Sequence, residues 1–355
     1  MSNSENGNRM ELLDLLRAVA ITFVVITHYK SNILPGGSVG VSIFFCLSGF
    51  LITNNLLDSK VTIPNFLTRR IFRIYPTYVA ILLLNFLLLY LLEPTIFEKF
   101  SANVLNLLFI VKMPDEWIDM GVGVLWTLQI ELWFYILIPF VIKKLDKKRF
   151  FILLLFIAVS LGLKILSFYD LFELPNYSFF KMIFWMDNLL YGSITAILLN
   201  KYIPQNHQTR ADIKNKLLPN GIVFCIGILI TAVALFGIGN GKYWPIESTI
   251  VSILTGCIIF IGLRYGLYIK NRFSNVITSI SLFAYTIYLA HPIPLDYWKP
   301  LKDILNIGKY PSAILILSLL PILSLLLHYA IEKPGIRFGK SFYNFFIMNG
   351  IPPNL

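Results

Sequence analysis

Predominantly apolar stretches of about 20 residues, the length a helix needs to cross a hydrocarbon core about 30 Å thick, recur along the whole chain. They fall at 12–31, 38–57, 74–92, 124–142, 150–168, 180–199, 219–238, 246–267, 275–294 and 312–331. In lipid a backbone must satisfy its own hydrogen bonds, so such stretches become helices. The chain is read as an all-α integral membrane protein, a bundle of about ten transmembrane helices. Composition agrees: 57% of residues are hydrophobic and 14% charged, where a soluble chain carries about 25% charged residues. The stretch 102–112 is too short to span and contains Lys112; it reads as re-entrant or interfacial, with an eleventh crossing as the alternative. No repeat or linker is visible, so residues 1–355 read as one transmembrane domain with a helical core over about 12–331.

The net charge of +11, from 30 Lys and Arg against 19 Asp and Glu, could indicate a nucleic-acid partner. The basic residues instead punctuate the apolar stretches, in TRRIFR, KKLDKKR and the segments after 199, 263 and 332. Placing these loops in the cytoplasm satisfies the positive-inside rule with both termini inside. The expected location is the cell membrane, with the lipid bilayer as partner and no nucleic acid. Cys46, Cys225 and Cys257 lie in apolar runs without metal or redox spacing, and read as small buried residues. No cleavable signal peptide is expected, because Asp14, Arg17 and His28 interrupt the first apolar stretch. His207, in a polar inner loop, reads as solvated.

A charge inside a span is costly, about 2.5 to 3.5 kcal/mol on insertion scales, so each one is a candidate functional residue. Arg17 and His28 are eleven residues apart, which places them on nearly one helix face, about 16 Å apart along the axis. Asp14 is one turn from Arg17 and can pair with it; an anchoring role for the arginine and an inter-helix bond for the histidine are the plain alternatives. Thr127, Glu131 and Tyr135 form a polar stripe at i, i+4 and i+8, beginning one residue after Trp126, and Glu131 lies at a depth comparable with His28. Tyr288 and His291 are i, i+3 neighbours, with Tyr285 a turn earlier. His328 and Glu332 are a turn apart beside the inner surface, where Glu332 could hold Arg17 or a loop arginine. Arg70 and Arg73 are i, i+3 on a helical start that ends at Pro76, and their planar forks suit phosphate. Gly37, Gly40, Ser48 and Gly49 would let the second helix approach a neighbour closely, or leave room for an acyl tail.

No nucleophile elbow, zinc-protease motif, phosphate loop or dinucleotide loop is present. What remains is a basic inner cluster and a deeper histidine, the side chain best suited to take a proton from a hydroxyl near neutral pH.

The Arg17-x10-His28 spacing, VSIFFCLSGFLIT, RRIFRIYP, LWTLQIELWFYILIP, YTIYLAHP and EKPGIR occur in that order from residue 12 to about 337. Together they resemble acyltransferase family 3, the membrane-bound O-acyltransferases. The resemblance implies transfer of an acyl group, most often acetyl, from acyl-CoA to a hydroxyl of a cell-envelope glycan, lipid-linked saccharide or glycosylated product. It implies His28 as catalytic base, with Glu131 orienting it, and Arg17, Arg70 and Arg73 on the CoA side. Asp14, Trp126, Tyr135, Tyr288, His291 and Glu332 are expected in substrate or supporting roles. Acetyl-CoA is a co-substrate in this reading, and no metal is expected. Many members carry a secreted esterase-like domain; the chain's end soon after the tenth stretch gives the expectation of a stand-alone form. The competing reading is a transporter or flippase with a buried charge relay. Its expected pair of short, Gly/Pro-broken segments in two matching halves is not seen in the sequence.

Overall fold

The computed structural model describes residues 2–29, 37–92, 123–169, 177–202, 217–236, 244–266, 274–296, 306 and 308–348. Among them every regular element is helical. In order these are α1 (Ser2–Tyr29), α2 (Gly37–Leu56), α3 (Ile63–Leu92), α4 (Trp126–Lys144), α5 (Arg149–Phe168), α6 (Tyr177–Tyr202) and α7 (Leu217–Phe236). They continue with α8 (Trp244–Arg264), α9 (Ser274–Ala290), the short α10 (Pro292–Asp296), α11 (Lys309–Leu327) and α12 (Lys333–Met348). The described residues of the ten predicted spans fall almost entirely on helices. Eight helical segments are long and apolar enough to cross a membrane, whereas Pro219–Val233 and Ser274–Ala290 are shorter apolar helices. The protein is a multi-pass membrane protein. The stretch 102–112 and His207 lie outside the described residues.

Two of the expected boundaries are wrong. Pro76 does not end a helical start: α3 is one helix of 30 residues running through it, about 45 Å long. It is therefore longer than a hydrocarbon core is thick, and Arg69, Arg70 and Arg73 lie in its polar first half. The last stretch also continues beyond 331. A π-helical turn, His328–Glu332, joins α11 to α12. Two cysteines are corrected as well: Cys46 is buried, but Cys225 and Cys257 are exposed on the outer faces of their helices.

The described residues group into two compact units. The first comprises Met1–Lys60 and Leu137–Ala284, the second Val61–Ile136 and Tyr285–Leu355.

In the first unit, Leu12 and Ala20 of α1, Ile43 and Phe50 of α2, Ala196 of α6 and Ile259 of α8 belong to one buried apolar cluster. Small residues set the distances. A Cβ on Gly49 would fall on the Leu189 carbonyl, and one on Gly192 on the Cys46 carbonyl, so α2 and α6 touch backbone to backbone. A Cβ on Gly40 would lie 2.6 Å from the Ala20 carbonyl oxygen. Side-chain bonds complete the seam, with Thr53 Oγ1 donating to Ser193 Oγ at 2.9 Å and Cys46 Sγ to the Ser252 carbonyl at 3.3 Å. Gly49→Ala is expected to destabilise the protein by about 3 kcal/mol, the upper range for overpacking, because the obstacle is backbone that cannot rotate away. The unfolding midpoint of the purified variant in detergent checks this.

The second unit pairs α3 with α12. Pro76 has no N–H, so the Phe72 carbonyl loses its intrahelical donor. Gly335 fills that spot: a Cβ there would lie 2.7 Å from the Phe72 oxygen and 3.1 Å from Pro76 Cγ. The Phe72 ring meets Phe338 and Phe342, each at 5.3 Å between centroids. Thr62 and Tyr343 hydroxyls are 2.9 Å apart, at the far end of the same seam.

Candidate functional site

In the first unit, α1 carries Asp14, Arg17 and His28. Arg17 pairs with Asp14, Nη1 to Oδ1 at 2.9 Å, as the one-turn spacing predicts. A third member comes from α9: Ser281 Oγ donates to Asp14 Oδ1 at 2.7 Å and accepts from Arg17 Nη1 at 3.4 Å. The carboxylate is buried, while the arginine side chain is 28% exposed.

His28 stands at the exposed end of α1, and its Nδ1 is 2.8 Å from the Val24 carbonyl oxygen. A carbonyl only accepts, so Nδ1 carries the hydrogen and, in the neutral ring, Nε2 holds the lone pair. The Val24 carbonyl thus orients this ring. Glu131, expected to orient it, lies in the second unit.

In the second unit, the polar stripe on α4 is directed to specific neighbours. Thr127 Oγ1 lies 2.9 Å from Tyr288 Oη, and both hydroxyls donate to the Val124 carbonyl, at 3.0 Å each. The backbone turn Gly123–Leu125 that supplies this carbonyl leads directly into Trp126, whose own ring is partly buried. Tyr135 Oη donates to Glu131 Oε2 at 3.2 Å. The Tyr135 ring stands edge-on to Phe66 at 6.1 Å, and the Arg70 guanidinium sits over both rings, 5.6 Å from Phe66 and 5.8 Å from Tyr135. Two aromatic faces thus stabilise one planar cation.

Arg73, one turn on, is exposed and has its Nε 3.8 Å from Glu332 Oε1. The other oxygen of this buried carboxylate takes His328 Nδ1 at 2.7 Å. Glu332 therefore holds a loop-side arginine, one of the two options the sequence allowed, and it does so from a π-helical turn of a kind frequent at functional sites. Tyr285 Oη donates to the Ile74 carbonyl at 2.9 Å. His291 is fully buried, its Nδ1 2.7 Å from the Tyr288 carbonyl oxygen.

The sequence reading overlooked a further set of charges, all in the first unit. Lys164 of α5 and Asp187 of α6 form an ion pair at 2.7 Å with the lysine 1% and the aspartate 0% exposed. Thr249 of α8 accepts from Lys164 Nζ at 2.6 Å and donates to Asp187 at 3.3 Å. With its amide oriented to match its neighbours, Asn188 donates to Asp187 Oδ1 at 3.2 Å and to Ser252 Oγ at 3.0 Å. Glu247, 3% exposed, accepts from Ser38 Oγ at 3.0 Å. The rule that flagged Arg17 and Glu131 applies equally to Lys164, Asp187 and Glu247, since each falls within or at the edge of an apolar stretch.

Residues 11–332 match the protein family described as acyltransferase domain. The chain belongs to this acyltransferase family. Its relatives include the O-acetyltransferase OatA of Staphylococcus aureus strain NCTC 8325 / PS 47, 29% identical over 303 residues, covering 79% of this chain and 49% of that protein. OatA of strain COL matches to the same extent, 29% over 303 residues. The chain spans about half the length of the curated relatives it matches. No solved structure matches it. Family membership selects the acyltransferase reading over the transporter that the helix count alone also allowed.

Proposed function

We propose that this acyltransferase moves an acetyl group from cytoplasmic acetyl-CoA to a hydroxyl of a saccharide, either a cell-envelope glycan or its lipid-linked or glycosylated counterpart. The observation that carries the proposal is His28, whose Nδ1–H is held by the Val24 carbonyl at 2.8 Å, making Nε2 the proton-accepting nitrogen. The curated relatives are named O-acetyltransferases, which supports acetyl as the group and oxygen as the acceptor atom.

In this reading the acceptor hydroxyl gives its proton to His28 Nε2 as its oxygen attacks the thioester carbonyl. The new C–O bond forms, the C–S bond breaks, and the imidazolium returns the proton to the leaving thiolate. By resemblance to the family, Arg17, Arg70 and Arg73 are each assigned a part in binding CoA. Each is held by neighbours that leave its fork oriented: Asp14 with Ser281, Phe66 with Tyr135, and Glu332 with His328. Glu131 fixes the Tyr135 hydroxyl and thereby the ring under Arg70. Trp126, Tyr288 and His291 support the α4 start through the Val124 turn. In this reading the basic loops and both termini lie on the cytoplasmic, donor side.

The test offers purified protein acetyl-CoA labelled in the acetyl group together with a saccharide fraction from host membranes. Label on saccharide hydroxyls is expected, and its complete absence overturns the reading. Arg70→Lys is expected to raise the KM for acetyl-CoA about tenfold, because a lysine reproduces neither the fork nor the stacking between two rings. Its kcat should stay within about twofold of the parent if Arg70 binds donor equally in ground and transition states.

A further inference from the structure

The first unit has a polar end. Gly40 of α2 packs against Val24 of α1, and Gly262 of α8 against Leu12 of α1, so α2 runs opposite to α1 and α8 does the same. Ser38 meets Glu247 and Cys46 meets Ser252, while Gly256 meets Thr195, so α2, α6 and α8 run alongside one another in the same direction. Their starting ends therefore lie where α1 finishes, at His28. By register, Ser38 is two residues nearer that end than Gly40, and His28 four residues nearer than Val24. At 1.5 Å per residue this places Glu247 and His28 within about 3 Å of the same level along the helix axes.

Lys164, Asp187, Asn188, Thr249 and Ser252 occupy the next turn inward. The network satisfies most of its members, but two atoms stand apart. Among the described residues, the buried Glu247 Oε2 and the buried Tyr191 Oη have no hydrogen-bond partner. A buried polar atom left in this state costs about 1 to 3 kcal/mol. A carboxylate oxygen accepts and a phenol donates or accepts, so each can pair with a hydroxyl, which does both. Two carboxyl groups against one ammonium group disfavour an anion at this place, and therefore a phosphate or the donor.

We propose that Glu247, at the His28 end of the first unit, and Tyr191, more than a turn farther inward beside the Lys164–Asp187 network, bind neutral hydroxyl groups of the saccharide acceptor. The assignment rests on the acetyl-transfer reading above. It makes Glu247 an acceptor-binding residue, with no part in holding acetyl-CoA.

Glu247→Gln keeps an oxygen for Ser38 and removes the accepting Oε2; Tyr191→Phe removes the phenol alone. Both are to be assayed for label transfer from acetyl-CoA to the saccharide fraction of host membranes, with each substrate varied in turn. The expected result is an acceptor KM raised at least tenfold in Glu247→Gln and several-fold in Tyr191→Phe, with acetyl-CoA KM and unfolding midpoint unchanged. An acceptor KM equal to the parent's in both variants overturns the assignment. So does a fall in unfolding midpoint accompanied by equal changes in both KM values, which would make the two residues purely structural. Absence of transfer by the parent protein itself overturns the enzymatic reading, and this site with it.

Discussion

His28→Ala is expected to lower acetyl transfer by about 10² to 10⁴-fold, the range that a positioned general base contributes, while leaving the protein folded. The side chain is exposed at the end of α1, so its removal opens no cavity, and the Val24 carbonyl it engages keeps the His28 backbone N–H as its helical donor. The acetyl-CoA KM should change little, because the proposed donor arginines lie elsewhere. His28→Gln is the informative companion: it preserves a donor for Val24 but supplies no base. If both variants transfer label at the parent's rate while eluting as folded protein, His28 is not the base.

The largest expected loss of stability comes from the Lys164–Asp187 pair. Lys164→Met leaves a carboxylate buried in the first unit without its counter-charge, and breaking a buried pair this way costs about 3 to 5 kcal/mol. Replacing both partners, as Lys164→Met with Asp187→Leu, should recover much of that loss, since two apolar side chains of similar volume need no desolvation. Thr249 and Asn188 would still have to find new partners, so recovery is expected to be incomplete. Unfolding of the three variants in detergent separates the cases. A single variant no less stable than the double one would mean that the pair is not charged in the folded protein.

The helices were legible because membrane insertion is a composition effect: a span must be apolar for about 20 residues whatever its neighbours are. The Asp14–Arg17 pair was legible for a similar reason, being one turn apart on one helix. Ser281 was not, since its bond to Asp14 joins residues 267 positions apart and a lone serine in an apolar stretch costs too little to stand out. The Pro76 boundary failed because a proline weakens a helix only locally. Here the neighbouring helix α12, through Gly335, occupies the place beside the carbonyl it releases. Lys164 and Asp187 were each readable as a costly charge in an apolar stretch, but their pairing across 23 positions appears only in tertiary packing.

The backbone bond to His28 has a consequence for how this protein can vary. When a side chain orients a catalytic imidazole, one substitution abolishes the orientation. Here the orienting atom is the Val24 carbonyl, which every residue except a disruptive proline nearby would still present. The vulnerable position is instead Gly40, on another helix, because any side chain there would press on the turn that carries Val24. Apolar replacements that fit the buried Val24 site would keep the orienting atom, whereas at Gly40 any side chain disturbs it, so the position that does not touch the histidine is the stricter one. A saturation library at both positions should show that inversion directly.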